Sequence, residues 1–338
     1  MESDFEQDDY AAAETIAADE PIWLMVPVEF AGQRLDHALQ QLLPEHSRSR
    51  LQGWVKDGFV TVDGRVRASK DKVHGGEQLE VHPQLDPVDT AFVPEDVPLD
   101  IVYEDDSLLV INKPAGLVVH PGSGNWNGTL LNGLLYARPE LANIPRAGIV
   151  HRLDKDTSGL MVVAKSLIAQ TNLVRQLQAK TVRREYRAIA TGLMPELGTV
   201  DAPIGRHPSE RTRMAIHHAG KPAVTHYEVL GWFRGHSMVC CRLETGRTHQ
   251  IRVHLQSLGH FLAGDPVYSG RSKISSPILV EAIKTFGRQA LHAERLGLIH
   301  PVTGESMSWE APLPEDMVQL IAALTEDYYA HTRLESDE

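Results

Sequence analysis

Cysteine is nearly absent from this 338-residue chain, and the two present, Cys240 and Cys241, are adjacent. Neighbours in an extended strand point to opposite faces, so neither a disulfide between them nor a shared metal site is expected. Long apolar runs are lacking too. The longest early one, Ile22 to Val28, is broken by Pro27 and follows an acidic lead, which argues against a signal peptide and a membrane span. A reduced, cytoplasmic protein is the expectation.

Several standard signatures are missing as well. There is no G-x-x-x-x-G-K-[ST] run and no G-x-S-x-G elbow, and Gly122, Gly124 and Gly128 miss the G-x-G-x-x-G spacing. The seventeen histidines are scattered. His249 and His254 are five apart, which does not place two ligands on one helix face. No metal and no cofactor are expected, so the chemistry should be redox-neutral and self-contained. A net positive charge is lacking also, but the distribution matters more than the total. Eight acids and no base occupy residues 1–20; taking those eight from the net charge of −12 leaves −4 for the rest. A near-neutral body with clustered basic residues is compatible with a phosphate-bearing partner.

Composition and pattern divide the chain into five parts. Residues 1–20 read as a disordered acidic tail. Residues 21–85 form a small unit in which Leu35, Ala38, Leu39, Leu42 and Leu43 follow helical spacing. Ser47 caps a second helix carrying Leu51, Trp54 and Val55, and Asp63-Gly64 turns a hairpin. Residues 86–98, with three prolines, read as a linker. Residues 99–328 form one large region mixing strands and helices, and 329–338 an acidic tail. Within 48–72, the basic Arg48, Arg50, Lys56, Arg65, Arg67, Lys70 and Lys72 outweigh three aspartates by +4. Such a surplus suits a phosphate-binding face.

The large region is organised around Gly148 to Lys165, GIVHRLDKDTSGLMVVAK. Apolar flanks bracket a polar centre, which reads as strand, functional turn, strand. Arg152 and Asp154 are two apart and would share one side of an extended segment. Two further segments carry chemistry-bearing residues. RREYR (Arg183 to Arg187) places Tyr186 among charges at a strand start, where it can stack on a nucleobase. ETGRTHQIR (Glu244 to Arg252) runs from a strand through Gly246 into a helix opened by Thr248, bringing Arg247 and Arg252 to a helix start suited to anions.

In this order, the three segments resemble the catalytic motifs of the RluA-type pseudouridine synthases. NKPAGLVVHPG (Asn112 to Gly122) and KPAVTHYEVL (Lys221 to Leu230) match as well, and the small unit, with RLD, SRSR and G-F-V-x-V-D-G, resembles an S4 RNA-binding domain. The resemblance runs from Val28 to about Tyr329. It implies an α+β protein: a two-helix-plus-hairpin S4 domain, then a synthase domain with a central mixed, mostly antiparallel sheet flanked by helices. It also implies a monomeric, RNA-binding isomerase that converts uridine to pseudouridine in 23S rRNA or a large-subunit precursor, in the loop of helix 69.

At matching positions, the resemblance makes Asp154 the essential carboxylate and Tyr186 a stacking partner for the flipped base. Arg252 would pair with Asp154 and keep it ionised, and Arg152 would fill the gap left by the extruded uridine. Arg48, Arg50, Lys56, Arg65, Arg67, Arg183 and Arg247 are the expected RNA contacts. The residues themselves leave two other readings open. One is a non-catalytic RNA-binding ribosome assembly factor; the other is a hydrolase releasing free uracil.

Overall fold

The computed structural model describes residues 21–83, 91–122, 124–210, 212–270 and 276–336, so the expected tail at 1–20 lies outside the described residues. The chain divides between residues 90 and 91 into two compact units.

In the first unit, strand β1 (Ile22–Met25) precedes helices α1 (Leu35–Leu42) and α2 (Arg48–Lys56), followed by β2 (Val60–Val62), β3 (Arg65–Val66) and β4 (Gln78–Val81). The strands form an antiparallel sheet in the order β1-β4-β2-β3. Leu35, Ala38 and Leu39 from α1 and Leu51, Trp54 and Val55 from α2 pack on Val60, Val62, Leu79 and Val81. The Ser47 hydroxyl accepts the Arg50 N–H at 3.3 Å, capping α2. Asp63 and Gly64 both take positive φ, 50° and 71°, as a two-residue hairpin turn with the strands' own twist requires.

The first turn of α1 carries a fully buried Asp36, bonded to Arg34, Arg48 and Gln52. Burial alone would raise its pKa, but the three donors more than reverse this and hold the carboxyl well below the usual range. Arg48, 2.8 Å from Asp36, is therefore part of this unit's scaffold.

The second unit opens with residues 91–98, whose backbone is held in place. The Asn132 amide donates to the Ala91 and Val93 carbonyls at 3.1 and 2.8 Å. A β-carbon on Gly133 would come within 2.8 Å of Val97, so the helix there has to present a glycine. The elements then run β5 (Ile101–Glu104), β6 (Leu108–Lys113), α3 (Leu130–Ala137), β7 (Ser158–Ala164), α4 (Leu167–Gln178), β8 (Arg183–Thr191), β9 (Leu197–Asp201), β10 (Ile204–Arg206), β11 (Met214–Ile216), β12 (Val224–Trp232), β13 (His236–Leu243), α5 (Gln250–Ser257), α6 (Pro277–Phe286), β14 (Leu291–Ile299), β15 (Ser306–Glu310) and α7 (Glu315–Ser336).

Among the described residues, one sheet takes nine of these strands in the order β5-β6-β7-β14-β8-β13-β12-β9, with β15 on β14, and β10 and β11 pair apart. Every pairing in the large sheet is antiparallel except β7 with β14. The sheet is therefore mixed and mostly antiparallel, and it is covered on both faces. One face packs on α3 and the segment before β7; the other packs on α4, with Ala169 and Leu173 against Leu160, Val162 and Leu296. All seven residues of β7 are buried, which explains the apolar run from Leu160 to Ala164.

Two local features differ from the sequence reading. The entry to the central stretch is not a regular strand: Arg146 and Ala147 are left-handed (φ 55° and 49°), and Ile149 alone bridges to Val163. At the C-terminus, α7 continues through Ser336, where a tail from residue 329 was expected. His331 anchors its last turns, bonding the Asp327 carbonyl and the Arg234 guanidinium.

Glycines at both ends of the central stretch let the backbone cross its neighbours. A β-carbon on Gly148 would lie 1.9 Å from the Ala164 carbonyl oxygen, and one on Gly159, at φ 114°, would lie 2.2 Å from that of Ala293. Because the obstacle is backbone rather than a pliable side chain, Gly159→Ala should cost roughly 3 kcal/mol or more, a fall in Tm of about 6 °C or more by calorimetry. An unchanged Tm would contradict the crossing.

Candidate active site

Asp154 sits on the turn between Ile149 and β7, and that turn is tied down from several directions. The Asp154 carbonyl accepts the Thr157 N–H at 3.1 Å. The Lys155 carbonyl accepts from Lys113 Nζ and from the Gly116 N–H, both at 2.9 Å. Arg288 donates to the Asp156 carbonyl at 3.0 Å, and Gln289 to the Thr157 hydroxyl at 3.1 Å. His151 accepts the Val162 N–H on Nε2 at 3.1 Å, so the ring carries its hydrogen on Nδ1 while neutral. Burial, reinforced by Arg184, lowers the His151 pKa to about 3.

Lys113 is fully buried at the end of β6. Its ammonium donates to the carbonyls of Pro114, Leu117 and Lys155 at 2.7 to 2.9 Å, joining the β6 exit to the Asp154 turn. Burial lowers its pKa to about 7, against the opposing charges of Asp156 and Asp154.

The Asp154 carboxylate meets a guanidinium, and it is that of Arg252: Nη1 lies 3.2 Å from Oδ2. Arg252 projects from α5 with a side chain only 5% exposed. Its other nitrogens, Nε and Nη2, bind both oxygens of Asp265 at 2.7 and 2.8 Å. Asp265 is held in turn by the N–H groups of Val267 and Tyr268. The Arg252 guanidinium also lies over the Tyr268 ring, 5.0 Å from its centroid. His249 Nε2 lies 4.0 Å from the other carboxylate oxygen, Oδ1.

Tyr186 stands on β8, opposite Cys241 of β13 and Ala293 of β14, and is 6% exposed. Burial raises its hydroxyl pKa; Arg184 opposes this and Asp154 reinforces it, so both charges reach the phenol. Arg184 is itself buried, donates to the Glu244 carbonyl at 3.2 Å, and lies where any side chain on Gly246 would strike it.

Of the sequence-predicted residues, Asp154 and Arg252 form an ion pair, and Tyr186 stands close enough for the Asp154 charge to act on its phenol. The fourth, Arg152, is exposed. The ion pair to Asp154 comes from Arg252. The Arg152 charge acts instead on His120 and His249, disfavouring their protonation. Arg183 is 65% exposed and paired with Glu185 at 2.7 Å, and Arg247 donates to the Pro222 carbonyl at 3.1 Å. In the first unit, Lys56 and Arg65 are exposed, Arg67 lies 3.8 Å from Glu77, and Arg50 stacks over Trp54. Helix α5 starts at Gln250, not Thr248, with a left-handed His249 at its N-cap.

Lys113, Asp265, Tyr268 and His249 were not picked out from the sequence. A signal did exist for Asp265: an acid inside the apolar run FLAGDPVY, thirteen residues after Arg252. Among the described residues, no group of three His, Cys, Asp or Glu side chains forms a metal site, and no helix is long and apolar enough to cross a membrane.

The Asp154–Arg252 pair on its tied-down turn and the buried Tyr186 on β8 thus lie in the unit built on the large mixed sheet, and comparison with known proteins gives its class. The family model for RNA pseudouridylate synthase matches residues 107–257, and that for the S4 domain matches 33–79. The chain belongs to the RluA-type RNA pseudouridine synthases. It is 57% identical to ribosomal large subunit pseudouridine synthase D of Pseudomonas aeruginosa over 89% of this chain and 95% of that protein. For the protein of that name in Pasteurella multocida the figures are 56%, 89% and 94%, and for that of Neisseria meningitidis serogroup A 53%, 100% and 90%. Among solved structures, human RNA pseudouridylate synthase domain containing 4 aligns with a TM-score of 0.53 at 29% identity, over 67% of this chain and 93% of that one.

Lys113 gives a pH-dependent prediction. Its folded pKa of about 7 lies below its ordinary 10.5, so between those values the unfolded chain binds more protons and the residue's contribution to stability rises with pH. The stability of the parent relative to Lys113→Met should therefore increase by on the order of 2 kcal/mol between pH 7 and 9 in urea titrations. A pH-independent difference would contradict the buried, depressed lysine.

Proposed function

We propose that this enzyme isomerises uridines of large-subunit (23S) rRNA in the loop of helix 69, with Asp154 as the reacting carboxylate. Support for a large-subunit substrate comes from the names of its relatives, the helix 69 loop follows from the family resemblance alone, and support for the residue comes from one observation: a 3.2 Å Asp154–Arg252 ion pair on a turn fixed by Lys113, Arg288 and Gln289. The partner is RNA, the place of action the cytoplasm, and the working form a monomer.

The reaction breaks the bond from N1 to C1′ and joins C1′ to C5; the C5 proton leaves and N1 gains one, so the product is an isomer. A base must leave the helix to reach a partly buried acid, and unstacking costs a few kcal/mol. Arg152, exposed beside the turn, is placed to enter the vacated space. Tyr186 would stack on the extruded ring near the C5 proton. Asp154 can promote the exchange by adding to the ring, by capturing C1′, or by removing a ribose proton to form a glycal. All three routes require a carboxylate held in one orientation, and Arg252 supplies a fixed positive charge beside it. The exposed Lys56 and Arg65 of the S4 domain, with Arg50, Arg67, Arg183 and Arg247, would hold phosphates. Arg48 can add to them only through the part of its side chain that Asp36 leaves exposed.

Two measurements test this reading. Asp154→Asn should abolish pseudouridine at the helix 69 loop in rRNA from cells carrying only the variant, with RNA affinity within about threefold of the parent. Product from that variant would refute the catalytic role, and free uracil from the parent enzyme would refute isomerisation. Reversing Lys56 and Arg65 should weaken RNA binding and lower the slope of log K against log salt by about 1 for each phosphate no longer neutralised. An unchanged slope would remove this face from the RNA path.

A further inference from the structure

The geometry points to His249 as a second positioning residue for Asp154, holding the carboxylate oxygen that Arg252 does not reach. The proposal rests on the reading of Asp154 as the reacting acid.

His249 takes φ 56° and ψ 23° at the N-cap of α5, a left-handed conformation that costs a non-glycine residue on the order of 1 kcal/mol. That conformation turns the ring away from the helix and in towards Tyr268. The two rings meet edge to face, with centroids 5.4 Å apart and planes at 79°. His249 Nδ1 lies 2.8 Å from the Tyr268 hydroxyl oxygen, and that oxygen also accepts the Met214 N–H at 2.7 Å.

These bonds fix where the histidine's hydrogen resides. Tyr268 is fully buried, and among the described hydrogen bonds the acceptor within reach of its O–H is His249 Nδ1, so the O–H is donated there while the oxygen accepts the Met214 N–H. The neutral ring then carries its hydrogen on Nε2, the atom that faces Asp154 Oδ1 at 4.0 Å. Burial is the main influence lowering the His249 pKa, with Arg252 and Arg152 acting the same way and Asp154 and Asp265 opposing them. The neutral tautomer therefore matches the surroundings.

Four ångströms is longer than a hydrogen bond, but catalytic bonds commonly close only when the substrate is in place. A carboxylate held through one oxygen can still rotate, because its terminal torsion is broad. Arg252 grips Oδ2; an N–H arriving at Oδ1 from a ring that is itself pinned by Tyr268 sets the plane. Asp265 and Tyr268 then act in parallel, the first presenting Arg252 and the second presenting His249.

The test compares two amides and a phenylalanine in single-turnover assays on a helix 69 stem-loop RNA. His249→Asn suits the left-handed backbone and keeps an acceptor for Tyr268, but lacks the outer donor. His249→Gln keeps an N–H near the Nε2 position. We expect His249→Asn to lower the rate about tenfold or more, the loss of one hydrogen bond to a charged group. RNA affinity should stay within about twofold. His249→Gln should recover most of the rate, and Tyr268→Phe, which frees the tautomer, should fall between the two. His249→Asn turning over at the parent rate, with Asp154→Asn inactive, would overturn this proposal alone. Equal losses in the Asn and Gln variants would also overturn it, by making the ring merely structural. An active Asp154→Asn would instead overturn the reading beneath it.

Discussion

Arg252 has one guanidinium and two carboxylates to satisfy. Asp265 takes two of its nitrogens at 2.7 and 2.8 Å, and Asp154 takes the third at 3.2 Å. The asymmetry is informative. The tighter, bidentate bond goes to a fully buried acid that two backbone N–H groups already hold, so Asp265 fixes the guanidinium in direction as well as place. What remains for Asp154 is a single, longer bond from a donor that cannot swing away. An arginine is suited to this because its planar fork can bind two partners at fixed angles, which a lysine cannot do.

The fold delivers both halves of that pair from far apart in the sequence. Asp154 arrives on a turn that only glycine can close at either end, since Gly148 and Gly159 lie against the backbones of Ala164 and Ala293. Lys113, Arg288 and Gln289 then bind successive groups of the turn's backbone and side chains. Burying an ammonium and a guanidinium this way is costly unless each proton finds an acceptor. Lys113 achieves it with three carbonyls, and the result is a loop with little freedom around Asp154. In the S4 domain the same economy appears around Asp36, where three donors converge on one buried carboxylate.

Much of this was legible in the sequence where information is local. The contiguous HRLDKDTSG run located Asp154; the charged RREYR run at a strand start located Tyr186; the amphipathic spacing after Ser47 located α2. What stayed hidden depended on tertiary approach. Asp265, Tyr268 and His249 act together only because the segment after α5 folds back on its start, and no periodicity reports that. Arg48 counted as one more surface charge, since a charge tally carries no record of a buried partner such as Asp36. The expected strand at Ile149 failed for a local reason: Arg146, Ala147 and Gly148 are all left-handed, which leaves room for one bridging residue.

Replacement of Arg252 by lysine tests the shared guanidinium most directly. Lysine preserves the charge and approximate length but cannot serve Asp265 and Asp154 in two fixed directions. Arg252→Lys should bind a helix 69 stem-loop about as tightly as the parent yet lose at least about a hundredfold in single-turnover pseudouridine formation. A lysine variant as active as the parent would contradict the shared-guanidinium account, because a point charge would then be all that Asp154 requires.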